Sequence, residues 1–364
     1  MDNFAFIVHP LDPKRDMKRK FPLLGSLLPT SAINFLSRFF PPLYISHITG
    51  VRSEATGKEV EGWFVACPFT PQRMVTLPPQ TVYRKVIATA KRAERLGAKI
   101  VGLGAYTSVV GDGGLTISRN VAVPVTTGDS YTVAMAVAAI KQAAEVMEFD
   151  LARATLAVVG ATGSIGAVSS EMLAEFVPRI VLIGKRLDRL AEVKARCVAA
   201  GAEAQVTSDL GVLPTADIVL TVTSAVEAIV QPEHLKPGAV VCDVARPRDV
   251  SKRVAAQRND VLVIEGGLVE IPGDVDFHFD FGFPPRTSYA CMAETMALAL
   301  EGRYENYTLG KDITVAQVKE IDGIAHRHGF KLAGFRSFEH AVPADEIERV
   351  KHNARRARFV QVAI

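Results

Sequence analysis

Three glycines spaced three residues apart stand between a short apolar stretch and a helical pattern. Gly160, Gly163 and Gly166 follow the β-branched residues of Thr155–Val159. Such a loop can seat a pyrophosphate on a helix N-terminus, where unpaired N–H groups and the helix dipole offset negative charge. Glycine is needed because a side chain would block the turn, the ligand's approach or helix–strand packing. The pattern therefore predicts a dinucleotide site contacted by Gly160, Thr162, Gly163, Ser164, Ile165 and Gly166.

A pair of cations follows the next predicted strand and bears on the choice of cofactor. Ile180–Ile183 is that strand, and Lys185 and Arg186 come just after it. NAD sites usually place an Asp or Glu here for the ribose hydroxyls, whereas cations attract a 2′-phosphate. The pair therefore favours NADP(H) over NAD(H), with a solvated charge pair at a helix start as the alternative.

The residue best suited to nucleophilic chemistry is Cys291. It falls near the start of a helix predicted to run from Thr287 or Ser288 to Glu301. The helix N-terminus and the nearby Arg286 would lower the thiol pKa and increase the fraction of reactive thiolate. The alternative is a small buried side chain on an apolar helix face. Position alone leaves both interpretations open.

Two polar pairs complete the candidates for chemistry. Thr223 and Ser224 follow the fourth strand of the doubly wound pattern, where they would line the nicotinamide side or cap a turn. Tyr307 and Lys311 match the Tyr-x-x-x-Lys spacing of short-chain dehydrogenases, in which the lysine lowers the tyrosine pKa. Gly310 interrupts that segment, so we favour coincidence and keep an alcohol dehydrogenase as an alternative function.

The elements that must position these residues alternate between strand and helix from Thr155 onward. That pattern is typical of a parallel doubly wound sheet. An earlier group of strands, with a basic-faced helix over Val82–Leu96, indicates a separate α/β unit. The predicted strands are Ala5–His9, Tyr44–Val51, Val60–Cys67, Lys99–Leu103, Val121–Val125, Thr155–Val159, Ile180–Ile183, Gln205–Thr207, Ile218–Val222, Val240–Val244 and Leu262–Glu265.

The length of 364 residues is too great for one ordinary core. We predict an α/β protein in three parts. Residues 1–148 form an N-terminal α/β substrate-binding domain, and 149–284 form a doubly wound (Rossmann) NADP-binding domain. Residues 285–364 form a C-terminal helical segment that carries Cys291 and a charged tail.

Bulk properties exclude several classes of function. The net charge of +3 is too small to indicate a nucleic-acid partner. Cys67, Cys197, Cys242 and Cys291 lack metal-binding spacing, so we expect no metal and reduced thiols in the cytoplasm. The first residues lack the order of a signal peptide, and no apolar run reaches the length of a membrane span. Nothing in the composition indicates the oligomeric state.

The segment Phe21–Tyr44 is unusual because large apolar residues are interrupted by prolines. The prolines exclude one long helix. We expect this segment to contribute to the core. An apolar substrate tunnel or an interfacial contact with a membrane are the alternatives.

Eight segments occur in an order that matches one known family. They are Ser53–Lys58, Leu103–Ser108, Val125–Gly128, Val158–Gly166, Gly266–Glu270, Tyr289–Met296, Leu300–Gly302 and Arg327–Phe330. Together they resemble the cyanobacterial-type, aldehyde-forming long-chain fatty acyl-[acyl-carrier-protein] reductases over about residues 5–335. The glycine loop is shared with many folds, whereas Tyr289–Met296 followed by Leu300–Gly302 is specific.

The resemblance implies a reaction. In similar enzymes the cysteine matching Cys291 takes an acyl group from a carrier-protein or coenzyme A thioester, and NADPH then delivers hydride to release a fatty aldehyde. Candidate oxyanion donors are helix-start amides near Cys291 or the hydroxyls of Thr126, Thr127 and Ser224. A non-enzymatic NADP-binding regulator is the alternative from another class.

Two regions depart from the family pattern. Phe21–Phe40 has an unusually apolar composition, and the tail from Ser337 extends beyond the usual end of the family. The tail is expected to be a solvated helix or a subunit contact, with docking of an acidic carrier protein as the alternative. Its cations are Arg349, Lys351, Arg355, Arg356 and Arg358.

Overall fold

The computed structural model describes residues 2–362, with side chains to residue 357. The chain forms two compact units. The first extends to Tyr131 and resumes over Val269–Lys331, whereas the second comprises Thr132–Leu268 and the chain from Leu332 onward. The first limit thus falls before the predicted residue 148, and the chain leaves the second unit at Leu268, before the predicted residue 284, to return to the first unit.

The first unit contains a five-stranded sheet. Its strands lie in the order second, third, first, fourth, fifth, and only the second–third pair is antiparallel. Four predicted strands are confirmed within one or two residues, but the fifth begins only at Val125. Pro124 lacks an N–H for pairing, which explains the late start. The strands are Asn3–Val8, Leu43–Arg52, Glu59–Ala66, Ile100–Leu103 and Val125–Thr126.

Two long helices cover this sheet. Pro79–Arg95 packs Val82 and Val86 against strand residues that include Ile7 and Leu103. Ala290–Glu301 contacts the same strands and is buried over nearly its whole length. The other helices whose ranges reach into this unit are Pro13–Lys20, Pro22–Leu27, Thr30–Leu36, Pro71–Thr76, Tyr106–Val109, Leu115–Ser118, Asp129–Val146 and Val315–His328.

The second unit contains a six-stranded parallel sheet. Numbered along the chain, its strands lie in the order 3-2-1-4-5-6, which is the strand order of the Rossmann fold. The predicted doubly wound sheet is therefore confirmed. Its strands are Thr155–Val159, Arg179–Ile183, Glu203–Thr207, Ile218–Thr221, Val240–Asp243 and Leu262–Glu265.

Helices connect the strands of the second sheet, as its parallel direction requires. Apolar side chains of both layers form a buried cluster that includes Ala157, Val219 and Val241. The helices are Ser164–Ala174, Leu187–Ala199, Lys252–Gln257 and Ala344–Val362, with single 3₁₀ turns at Leu151–Arg153 and Pro232–His234 and a longer one at Leu210–Thr215. The remaining short strands of the chain are Leu268–Glu270, Thr287–Tyr289, Lys331–Leu332, Arg336–Ser337 and His340–Ala341.

The charged tail forms the helix Ala344–Val362, and its cations are largely paired within the chain. Arg355 and Lys351 both contact Glu148, and Arg349 lies 3.7 Å from Asp345. These ion pairs are those of a solvated helix and reduce the charge available to an acidic partner. The side chain of Arg358 lies outside the described residues.

The prediction that Phe21–Tyr44 contributes to the core is wrong for most of its large side chains. Prolines divide the region into helices of six and seven residues, which are too short to bury both faces. Ile33 is buried, but Leu23 and Leu27 are 79% and 78% exposed. The other exposed apolar side chains here are Phe21, Leu24, Phe35, Phe39 and Tyr44. None of the described helices is both long and apolar enough to cross a membrane.

Candidate active site

The glycine loop, Gly160–Gly166, follows the first strand of the Rossmann sheet. Gly160 has φ +89° and lies so close to the fourth strand's end that a Cβ would be 2.6 Å from the Val222 carbonyl oxygen. A Cβ at Gly166 would collide with the carbonyl oxygen of Gly160. Only glycine fits at these two positions, as a tight dinucleotide-binding turn requires.

The helix after this loop begins without a side-chain cap. Gly163 is its N-cap residue and is exposed, and the helix Ser164–Ala174 follows. Thr162, Ser164 and Ile165 are half-buried, so the loop stays accessible from solvent. A helix start of this kind offers backbone N–H groups and the positive end of the dipole to an anion.

Lys185 and Arg186 follow the second strand, as predicted, and both are exposed. Neither forms an ion pair with another side chain in the described part of the protein. Thr162 of the glycine loop lies beside Gly184, where a Cβ would be 3.3 Å from the Thr162 methyl group. The glycine loop and the two cations therefore occupy neighbouring positions at the carboxyl edge of this sheet.

Thr223 and Ser224 also lie at this edge, after the fourth strand. The Thr223 hydroxyl donates to Asp249 over 2.6 Å and accepts a hydrogen bond from the N–H of Ala225. Thr221 donates to the same buried carboxylate. The Thr223 hydroxyl therefore makes the hydrogen bonds of a capped turn. The side chain of Ser224, the next residue, is exposed.

Cys291 belongs to the first unit, and its helix starts later than predicted. Thr287–Tyr289 is a strand, since Thr and Tyr favour extended backbone, and the helix Ala290–Glu301 follows it. Cys291 is thus the second residue of the helix and is half-buried. The backbone of Gly128 lies against it, because a Cβ there would collide with the Cα and Cβ atoms of Cys291.

The prediction of a lowered thiol pKa at Cys291 is wrong. Burial raises the pKa of Cys291 to about 12, and the negative charges of Asp129 and Glu294 act in the same direction. Arg286, the cation expected to favour the thiolate, lies 3.6 Å from Glu270 and is paired with that carboxylate. The resting thiol is therefore protonated at neutral pH.

Glu294 is a buried acid that the sequence analysis did not single out. One oxygen accepts hydrogen bonds from Thr126 and, over 2.9 Å, from the Thr308 hydroxyl. The other oxygen accepts the N–H of Tyr131 over 2.9 Å. Burial raises the pKa of Glu294 to about 7 despite these donors. The available sequence signal was a glutamate three residues after the cysteine, within a helix whose other residues are mostly apolar.

The predicted oxyanion donors Thr126 and Thr127 already donate within the protein. The Thr126 hydroxyl donates to Glu294, and the Thr127 hydroxyl donates to the Thr308 carbonyl over 3.0 Å. Both side chains are fully buried. They hold the segment before Gly128 in place, and the amides at the start of the Cys291 helix remain the candidate donors.

Tyr307 and Lys311 lack the features of a short-chain dehydrogenase pair. They lie in an irregular segment between helices, and the Tyr307 hydroxyl contacts Glu320 and the Gln317 carbonyl at 2.9 Å each. Burial and the Glu320 carboxylate raise the pKa of Tyr307, opposite to the shift that this chemistry needs. Among the described residues no cluster of His, Cys, Asp and Glu side chains could hold a metal ion.

The strand order and glycine loop define a protein with a Rossmann-type nucleotide-binding fold. A family model described as Shikimate / quinate 5-dehydrogenase matches residues 141–265, which span this sheet. Together with the relatives below, this match supports an NAD(P)-dependent oxidoreductase and does not distinguish NADPH from NADH.

Two curated relatives and one solved structure cover most of the chain. The long-chain acyl-[acyl-carrier-protein] reductase of Synechococcus elongatus is 29% identical over 80% of this chain and 87% of its own. The aminotransferase PigE of Serratia sp. is 30% identical over 82% of this chain, which spans only 35% of that relative. L-tryptophan dehydrogenase from Nostoc punctiforme matches 97% of this chain and 88% of its own at 13% identity, with a TM-score of 0.42.

The first of these similarities confirms the resemblance to the long-chain acyl-[acyl-carrier-protein] reductase family.

Proposed function

We propose that this protein reduces a long-chain acyl thioester to a fatty aldehyde with NADPH, through an acyl-enzyme on Cys291. The observation that carries the proposal is the placement of Cys291. Cys291 is a half-buried residue at the start of a buried helix, and the backbone of Gly128 packs directly against it. The similarity to an acyl-[acyl-carrier-protein] reductase supports a thioester substrate carried by acyl carrier protein or coenzyme A.

The acyl transfer step exchanges one thioester for another. The Cys291 sulfur attacks the substrate carbonyl, a new C–S bond forms, and the bond to the carrier sulfur breaks. The proton lost by Cys291 ends on the departing carrier thiol, so no net acid or base is consumed. Backbone amides at the start of the helix Ala290–Glu301 are the candidate donors to the tetrahedral oxyanion.

The raised pKa of Cys291 has a consequence for this step. Since the resting thiol is protonated, its proton must leave as the sulfur attacks or just before. Glu294 lies three residues along the same helix and has a pKa near neutrality, so it can hold a proton at working pH. The hydrogen bonds from Thr126, Thr308 and Tyr131 fix that carboxyl in place.

The second unit fits a dinucleotide. The glycine loop has the two positions at which only glycine fits, and Lys185 and Arg186 are exposed cations suited to a 2′-phosphate. These residues would hold NADPH. When bound, the cofactor would supply a hydride to the carbonyl carbon of the Cys291 thioester. The C–S bond would break, the aldehyde would leave, and the released Cys291 thiolate would take up one proton to become the thiol again.

The test is a screen of thioesters that follows NADPH consumption and identifies the product. Long-chain acyl-carrier-protein and acyl-CoA should both be offered, with NADH in parallel. We expect NADPH to be consumed in proportion to a fatty aldehyde. Formation of an alcohol from an aldehyde by the native protein, abolished by Tyr307→Phe but not by Cys291→Ser, would contradict the proposal. Cofactor binding without turnover of any thioester would indicate a regulator instead.

A further inference from the structure

The first unit exposes several large apolar side chains on two short helices near its N-terminus. We define the N-terminal apolar surface as Phe21, Leu23, Leu24, Leu27, Phe35 and Phe39. The helix Pro22–Leu27 buries only Gly25, and Thr30–Leu36 buries only Ile33. Isolated exposed leucines are common, but a cluster of this size usually marks an interaction site.

The pieces of this surface are held together by contacts within the unit. The helix Pro13–Lys20 contacts both following helices. Gly25 lies so close to that helix that a Cβ would collide with the backbone of Lys18. Phe35 and Phe39 meet edge to face at 5.7 Å, and the Arg38 guanidinium lies over both rings. The apolar residues are thus attached to a fixed scaffold and are exposed by its geometry.

Cations border the apolar residues. The helix Pro13–Lys20 has no buried residue and carries Lys14, Arg15, Lys18, Arg19 and Lys20. Its two acids are already engaged: Asp12 caps the helix, and Asp16 pairs with Arg15 and Arg19. Within the described residues, Lys14 and Lys18 form no ion pair. With Arg15 and the capping residue Asp12, they line a surface concavity that reaches Gly25 and Ser26 of the next helix.

We propose that the N-terminal apolar surface and its lysines bind an anionic lipid bilayer as a peripheral contact. Large apolar residues that enter the acyl boundary, beside lysines that meet anionic headgroups, are the pattern of interfacial segments. An acidic protein partner would match the cations but would leave Leu23 and Leu27, the most exposed leucines, against a polar surface. The inference stands apart from the thioester chemistry, because binding can be measured without turnover.

The experiment uses the full chain and sedimentation with vesicles. One set of vesicles consists of phosphatidylcholine alone, and the other consists of phosphatidylcholine with a minority of the anionic lipid phosphatidylglycerol. Each set is tested at low and at high salt. We expect binding to the anionic set at low salt and weaker binding at high salt. The absence of binding to anionic vesicles at low salt would overturn the proposal.

Two pairs of substitutions separate the apolar and charged contributions. Leu23→Ser with Leu27→Ser should weaken binding at least about tenfold, because the inserted apolar area is lost. Lys14→Gln with Lys18→Gln should weaken binding to anionic vesicles about thirtyfold, since each lysine near such a surface contributes about 1 kcal/mol. All four residues are exposed, so folding should be retained.

Matched controls are Val198→Ser, an exposed apolar position in the second unit, and Lys252→Gln, an exposed lysine there. Both should bind vesicles as the native protein does. Unchanged binding by the leucine variant would overturn the proposal. Conversion of an oligomer to a monomer by the leucine variant, with no vesicle binding by the native chain, would also overturn it and assign the surface to a second copy of this chain.

Discussion

At the scale of single residues, the environment of Cys291 is that of a protected nucleophile. The residue is half-buried, whereas Cys67, Cys197 and Cys242 are buried. Burial and two nearby carboxylates keep the thiol protonated, so reaction depends on removing its proton when the substrate arrives. Such a thiol is slow to react with small electrophiles in the resting protein.

Alkylation by iodoacetamide should therefore be slow at neutral pH and confined to Cys291. Because the pKa of Cys291 is raised to about 12, the rate should rise about tenfold per pH unit from neutral to mildly alkaline pH. Glu294→Gln removes a nearby negative charge and should lower that pKa, so alkylation should be several-fold faster. The exposed Glu192→Gln serves as the control and should match the native rate. A rate that levels off near neutral pH would contradict the assigned environment.

The sequence predicts the position of Cys291 but not the state of its thiol. The helix start and the Ala-Cys-Met-Ala-Glu segment are local features, visible in the chain itself. The pKa depends on Gly128 and Asp129, which lie far from Cys291 in sequence and approach it only in the folded unit. For the same reason the sequence could not show that Thr126 and Thr308 donate to Glu294.

At the scale of elements, the glycine loop is the part most fully predicted from sequence. Its strand, its turn and its helix all lie where the pattern placed them, because strand periodicity and glycine spacing are local signals. The sequence predicts the short N-terminal helices Pro22–Leu27 and Thr30–Leu36 least well. Apolar composition predicted burial there, but composition does not show whether another element is available to cover a short helix.

Gly166→Ala should impair both the fold of this loop and the binding of cofactor. Its added methyl group meets the Gly160 carbonyl, so we expect the free energy of unfolding to fall by about 1–3 kcal/mol. Gly163→Ala is the matched control, because its Cβ would be 3.4 Å from the same oxygen and its φ is −77°. Denaturant unfolding and cofactor titration give the measurement. Equal losses of unfolding free energy and cofactor affinity in the two variants would contradict the close approach at Gly166.

Lys185→Ala combined with Arg186→Ala should weaken binding of NADPH much more than binding of NADH. The two cations would contact only the 2′-phosphate, and loss of such charge-assisted contacts costs about 1.5–3 kcal/mol each. Lys194→Ala, at an exposed lysine in the helix Leu187–Ala199 that follows the two cations, should leave both affinities unchanged. Titration of each cofactor by calorimetry separates the outcomes. An equal loss for NADPH and NADH would contradict the assignment of the 2′-phosphate site.

At the scale of the whole molecule, the chain divides its chemistry between two units. The glycine loop, Lys185 and Arg186 belong to the second unit, and Cys291 belongs to the first. The sequence predicts two α/β regions from periodicity. It does not predict the return of Val269–Lys331 to the first unit, because that return depends on contacts between distant parts of the chain.

The central claim is that Cys291 holds the acyl group, and the intact mass of the protein tests it most directly. Incubation with a long-chain acyl thioester, without cofactor, should add the mass of one acyl group to the native protein. Cys291→Ser should form no thioester adduct, and no aldehyde when NADPH is then added, whereas the control Cys67→Ser, at a buried thiol, should form the adduct and, once NADPH is added, the aldehyde. An adduct and aldehyde formed by Cys291→Ser at the native rate would contradict the account.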